Sequence, residues 1–84
     1  MSFDCIVFPQ SGEPEKIQVD ENNLAVHILV DGKLVSRRVG RFSVTEPGKE
    51  TVYLFAHGMD LKPSNSVIKA AIVKLQPKPY AINS

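Results

Sequence analysis

The chain has 84 residues, of which 43% are hydrophobic and 23% charged, and its formal net charge is +1 at pH 7. These fractions are ordinary for globular proteins, so they exclude a disordered tail, a collagen-like chain and a coiled coil. No apolar run approaches the roughly 18–20 residues of a membrane helix, and the N-terminus lacks the pattern of a signal peptide. We therefore expect a small soluble domain in the cytoplasm, with no membrane contact.

The first third of the chain predicts short strands separated by turn residues. β-Branched and aromatic residues indicate a strand over residues 3–8, and alternating polar and apolar residues indicate a second over 16–20. Residues 24–30 are apolar at both alternating sets of positions, which is typical of a central strand covered on two faces. Asp31 and Gly32 follow, and this dipeptide is a strong signal for a two-residue hairpin turn.

The partner strand of that hairpin is predicted over residues 33–44, but its apolar positions change face halfway. A β-bulge at Gly40 would restore one apolar face, because a single extra residue reverses the alternation. This interpretation turns Arg37 toward the buried side and leaves Arg38 and Arg41 outside. A turn is expected at residues 46–49, where Pro and Gly stand in a favourable order.

The second half of the chain predicts a strand, a connection and a helix. Residues 51–57 are apolar on both faces, and residues 59–63 read as a connection. Over residues 65–75 the apolar side chains share one helical face, and Ser64 or Ser66 suits the N-cap. Their β-branched content leaves a strand as the alternative. The apolar face consists of Val67, Ile68, Ala71, Ile72 and Leu75.

We therefore predict an α+β fold in which a mainly antiparallel sheet of four or five strands carries one C-terminal helix on a face. An all-β sandwich or barrel is the alternative if residues 67–75 form a strand. Residues 1–76 would make a single domain, and residues 77–84, which include two prolines, an extended arm.

Residue types with catalytic or metal-binding potential are present, but their spacing does not form a site. Cys5 lies between apolar residues of a predicted strand, where a thiol is expected to be buried and inert. His27 and His57 lie on apolar strands, and no regular ligand spacing relates them to Asp20 or Asp60. We expect no catalytic site, no metal and no cofactor.

The clearest functional signal is a concentration of arginine in one predicted strand. Residues 1–30 are acidic on balance, whereas residues 31–45 are basic and contain all the arginines. Arginine binds carboxylates and phosphates in bidentate geometry. The patch could pair with the acidic first third of the chain, bind an acidic protein surface or bind nucleic acid. The predicted binding residues are Lys33, Arg37, Arg38, Arg41, Phe42 and Tyr80.

We expect a non-enzymatic module that binds a protein partner through this surface. Nucleic-acid or phosphate binding by Arg37, Arg38 and Arg41 is the alternative, and it is less favoured because basic nucleic-acid-binding domains usually have a pI above about 9. The small core leaves a homodimer and a monomer equally balanced, and a docked C-terminal arm would suit a dimer.

Overall fold

Seven strands and one helix form within residues 2–58 and 62–83, the part of the chain that the computed structural model describes. The predicted connection at 59–63 falls mostly outside these residues. In chain order the elements are β1 (Ser2–Phe8), β2 (Glu15–Asp20), β3 (Ala25–Val30), β4 (Lys33–Arg38), β5 (Gly40–Glu46), β6 (Lys49–His57), α1 (Asn65–Leu75) and β7 (Ala81–Asn83).

The strands form two sheets rather than one. The larger has five strands in the order β2-β1-β6-β5, with β7 also paired to β6. β1 runs parallel to β6, and the other pairs in this sheet are antiparallel. β3 and β4 make a separate antiparallel pair. The predicted α+β class is thus confirmed in its broad form, with a mixed sheet and an additional two-stranded sheet.

β6 is the central strand of the large sheet, as its two apolar faces predict. Residues on both of its faces are buried, among them Leu54 and Phe55. The same prediction for β3 is wrong, because among the described residues this strand pairs with β4 alone and the Leu29 side chain is 59% exposed. An apolar residue on the second face of a strand can therefore lie at the surface.

The strand predicted over residues 33–44 is two strands in different sheets. The Asp31-Gly32 turn joins β3 to β4 as predicted, and both of its residues have positive φ. After β4, the Val39 N–H donates to the Leu24 carbonyl oxygen at 3.0 Å, and the chain enters β5 at Gly40. A Cβ at Gly40 would lie 3.1 Å from the Phe55 ring. Gly40 thus permits close packing of that ring, and the predicted bulge is replaced by a change of sheet.

The large sheet is covered on both faces. The β3–β4 hairpin packs on one, where Val26 and Ile28 join Cys5, Val19, Leu54 and Ala56 in a buried cluster. Helix α1 packs on the other, where Ile68 and Ala71 join Ile6, Phe8, Phe42 and Phe55. We call these the hairpin face and the helix face.

Helix α1 has the bounds expected from its apolar periodicity and its cap. The Ser64 hydroxyl accepts a hydrogen bond from the Val67 N–H, and the helix ends at Gln76 in the left-handed conformation. Val67 itself is 47% exposed, so it does not belong to the buried part of the predicted apolar face. Ile68 and Ala71 are the members that reach the core.

Residues 77–83, for which an extended arm is predicted, run back along the large sheet. The Lys78 N–H donates to the Asp4 carboxylate at 2.8 Å, and the Tyr80 N–H donates to the Val52 carbonyl oxygen at 2.7 Å. The chain then pairs with β6 as β7. The backbone N–H groups of this segment thus bind to two strands of the sheet, one through a side chain and one through a carbonyl oxygen.

Candidate binding groove

A groove with a volume of about 680 Å³ opens where the chain passes from β4 to β5. Two of the predicted binding residues, Arg38 and Arg41, line it. Both arginines are exposed. We call this feature the arginine groove. Its lining comprises Glu21, Asn22, Asn23, Leu24, Ala25, Arg38, Val39 and Arg41.

The change of sheet explains why these two arginines line the same groove. Arg38 is the last residue of β4 and lies opposite Ala25 in the hairpin. Arg41 lies opposite Leu54 in the large sheet, and paired residues share a face, so Arg41 is on the hairpin face. The two arginines therefore line the groove from different sheets.

The aromatic ring of Tyr80 contacts the Arg41 side chain. The guanidinium carbon lies 5.4 Å from the centroid of the Tyr80 ring, within the range of a cation–π interaction. The Tyr80 ring packs edge-on against Phe3, with 4.9 Å between the centroids. Tyr80, a predicted binding residue, is thus half-buried, and it restricts the positions open to Arg41.

The opposite side of the groove is a short turn between β2 and β3. The Asp20 carboxylate accepts a hydrogen bond from the Asn22 N–H at 2.8 Å. The main-chain carbonyl oxygen of Asp20 accepts one from the Asn23 N–H at 3.0 Å. These bonds fix the turn, and the exposed asparagine side chains can donate and accept hydrogen bonds. Glu21 adds one carboxylate to the lining. The asparagines were not predicted as binding residues, because Asn-Asn in sequence signals only a turn.

The remaining predicted binding residues lie away from the groove. Lys33 is at the far end of the hairpin, opposite Val30. Phe42 is 7% exposed and packs in the cluster on the helix face. Arg37 is half-buried beside Val26, and its Nε atom is buried without a hydrogen-bond partner among the described residues. The inward orientation of Arg37 agrees with the sequence interpretation.

Within the described ranges, the residues with catalytic potential, Cys5, His27 and His57, lie on three different strands. Cys5 is fully buried, and burial raises the pKa of its thiol to about 12. The His57 ring stacks on Phe55 with 6.3 Å between centroids, and His27 is exposed on the hairpin. Within residues 2–58 and 62–83, no three His, Cys, Asp or Glu side chains come close enough to hold a metal ion. Asp60 lies outside those ranges.

A second cavity of about 540 Å³ lies beside Asp4. Asp4 is 9% exposed, and its carboxylate accepts hydrogen bonds from the Gln18 side chain and the Lys78 N–H. The backbone hydrogen bond from Lys78 is the main cause that lowers the pKa of Asp4. These contacts fix the C-terminal segment, so we interpret Asp4 as a structural residue.

Comparison with protein-family models, curated proteins and solved structures found no match. In the described part of the chain, no helix is long and apolar enough to cross a membrane.

Proposed function

We propose that this chain is a non-enzymatic protein-binding module whose arginine groove receives an acidic segment of a partner protein. The observation that carries the proposal is the convergence of Arg38 and Arg41, from two sheets, on one open groove. Guanidinium groups bind carboxylates through paired N–H donors, which suits Asp or Glu side chains of a partner.

The other lining residues suit a peptide chain. Leu24, Ala25 and Val39 give the groove an apolar part, which can pack against the aliphatic portions of a bound segment. The amides of Asn22 and Asn23 can pair with the N–H and C=O groups of a peptide backbone. An extended segment with acidic and apolar residues therefore fits the chemistry of the lining.

Two features favour a protein over a nucleic acid. Arg37 is turned toward the core, so the three arginines do not form one continuous row for phosphates. One face of the Tyr80 ring already carries Arg41, which leaves little aromatic surface for stacking bases.

The test uses a fluorescent acidic peptide of about eight residues, composed of Glu, Asp and Leu, titrated at low salt. We expect binding that Arg38→Glu with Arg41→Glu weakens at least tenfold, since both guanidinium partners are replaced by carboxylates. The matched control is Lys33→Glu with Lys69→Glu, which changes the net charge equally at two exposed residues outside the groove.

The control should bind the peptide nearly as well as the natural chain. Equal loss in both double variants would mean that only net charge matters and would refute the groove. An oligothymidylate of similar length serves as the competing ligand. Tighter binding of this oligonucleotide than of the peptide, with the same arginine dependence, would favour the nucleic-acid alternative.

A further inference from the structure

β5 is an edge strand with one side open. It stands last in the strand order, and within the described residues its only pairing is with β6. Its residues include Phe42, Val44 and Thr45, which are of types enriched in strands, and Ser43 between them. An open edge of this kind can pair with another strand.

The hydrogen bonds of β6 show which β5 backbone groups point to the open side. The Val52 carbonyl oxygen accepts from Tyr80, and the Gly58 N–H donates to Phe8. Even-numbered residues of β6 therefore face β7 and β1, and odd-numbered ones face β5, because backbone direction alternates along a strand. The even-numbered β5 residues pair with these odd-numbered residues. The N–H and C=O groups on the open edge consequently belong to Arg41, Ser43 and Thr45.

We propose that a second copy of this chain pairs antiparallel with this open edge, with a two-fold axis passing at Ser43. Ser43 would then exchange both backbone hydrogen bonds with Ser43 of the second copy. Arg41 of each copy would likewise exchange both backbone hydrogen bonds with Thr45 of the other copy. This register uses every outward backbone group of those three residues, and the two larger sheets become one.

The side chains are complementary in this register. On the helix face, Phe42 comes opposite Val44 of the second copy in a non-hydrogen-bonded pair, where side chains approach most closely. Val44 is half-buried in one copy, so the pairing covers apolar surface that is still exposed. On the hairpin face, the two Arg41 Cα atoms would be roughly 14 Å apart, beyond the Debye length of about 8–10 Å.

The other edge strand, β2, is less suited to the same pairing. Backbone direction alternates along β2 as it does along β5, and the N–H and C=O groups of Lys16, Gln18 and Asp20 point to the open side of β2. The outward carbonyl of Asp20 already accepts the Asn23 N–H, so the chain's own turn covers this end. Lys16 adds a charged side chain, a common protection of edge strands. A second copy therefore pairs at β5.

The dimer has a consequence for binding. A two-fold axis perpendicular to the sheet keeps each face on its own side, so both arginine grooves open on the hairpin face. A partner with two acidic segments would then bind both grooves at once, with increased avidity. The pairing itself does not depend on the proposed acidic partner.

The test measures mass by light scattering and sedimentation over a range of protein concentrations. We expect the mass of two chains, reverting to that of one chain in Ser43→Pro and in Ser43→Lys. Proline removes an outward N–H and leaves the β6 pairing intact, whereas lysine places two like charges at the two-fold axis. Lys16→Pro is the matched control, because it removes an outward N–H from the opposite edge, and it should stay dimeric.

Circular dichroism confirms that each variant is folded, and Ser43→Lys decides the test if Ser43→Pro unfolds. Amide exchange gives a second readout: the N–H of Ser43 should exchange at least tenfold more slowly at high than at low protein concentration, and that of Val44 should not change. A natural chain that remains one chain up to about 1 mM overturns the proposal. A dimer that both Ser43 variants retain overturns it equally.

Discussion

Replacing Gly58 with alanine places a methyl group between the large sheet and the β3–β4 hairpin. A Cβ at this position would lie 2.6 Å from Ile28 Cγ2 and 3.3 Å from both Val30 Cγ2 and the Gln10 nitrogen. Carbon atoms pack at about 3.5–4.0 Å, so the Ile28 side chain or the hairpin that carries it must shift by about 1 Å. The φ of Gly58 is not in the positive range, so the penalty is steric rather than conformational.

The expected magnitude combines two opposing effects. Overpacking a well-packed core costs about 1–3 kcal/mol, and contacts on three sides place this site in the upper part of that range. Alanine also restricts the unfolded chain, which offsets about 0.4–1 kcal/mol. The Gly58→Ala variant should therefore be about 1–2 kcal/mol less stable, and its Tm should fall by roughly 4–16 °C.

Urea unfolding followed by circular dichroism measures this difference, and a double-mutant cycle assigns it. Ile28→Leu removes the Cγ2 methyl group while keeping the side-chain volume. We expect the double variant Gly58→Ala with Ile28→Leu to lose less stability than the sum of the single losses, by about 1 kcal/mol. Additive losses, or a Gly58→Ala variant as stable as the natural chain, would show that the hairpin does not pack on Gly58 as described.

Two further predictions concern buried groups of β1, the Asp4 carboxylate on the helix face and the Cys5 thiol on the hairpin face. Asp4→Asn should destabilise the fold by about 1 kcal/mol at pH 7. The folded pKa of Asp4 lies below the ordinary 3.8, so the stabilisation by the carboxylate is present above pH 3.8 and is lost as the pH falls through the folded value. Urea unfolding should therefore show a difference between the two chains that shrinks steadily as the pH is lowered below 3.8, and a difference that does not depend on pH would contradict the role of the carboxylate. Burial raises the pKa of the Cys5 thiol from 9.0 to about 12. At pH 8 a thiol reagent should therefore react with the native chain roughly a thousandfold more slowly than with the chain unfolded in urea. Comparable rates for the two would contradict the burial of the thiol.

Local signals predicted most elements, because the physics that sets them is local. The Asp31-Gly32 turn, the turn at Pro47 and the helix Asn65–Leu75 depend on residues close in sequence, and all three are present. The parallel pairing of β1 with β6 is different. It joins residues about 50 positions apart, and no pattern within either strand specifies that partner.

The strand over residues 33–44 shows where periodicity fails. Val39 packs against the cluster on the hairpin face, whereas Phe42 and Val44 pack in the cluster on the helix face, so the apolar residues before and after Gly40 serve different clusters rather than one face. Arg37 is turned inward as predicted, whereas Arg41 lies on the hairpin face and is nevertheless exposed. Phe42 shows the limit of the same reasoning, because its neighbours in sequence do not reveal that helix α1 covers its face.

The arginine groove and the open edge of β5 have a common origin in the chain path. β2 and β5 lie at opposite edges of the large sheet, and the hairpin between them packs across its face through Val26 and Ile28. Residues 21–23 connect the end of β2 to β3. Leu24 accepts the hydrogen bond from the Val39 N–H, but the residues before Leu24 lead back to β2 and do not pair with β5. The groove opens where these residues separate from the start of β5, and the rest of the outer edge of β5 is left unpaired. A partner in the groove and a second copy on the edge would therefore bind adjoining surfaces that share Arg41, the partner through its side chain and the second copy through its backbone.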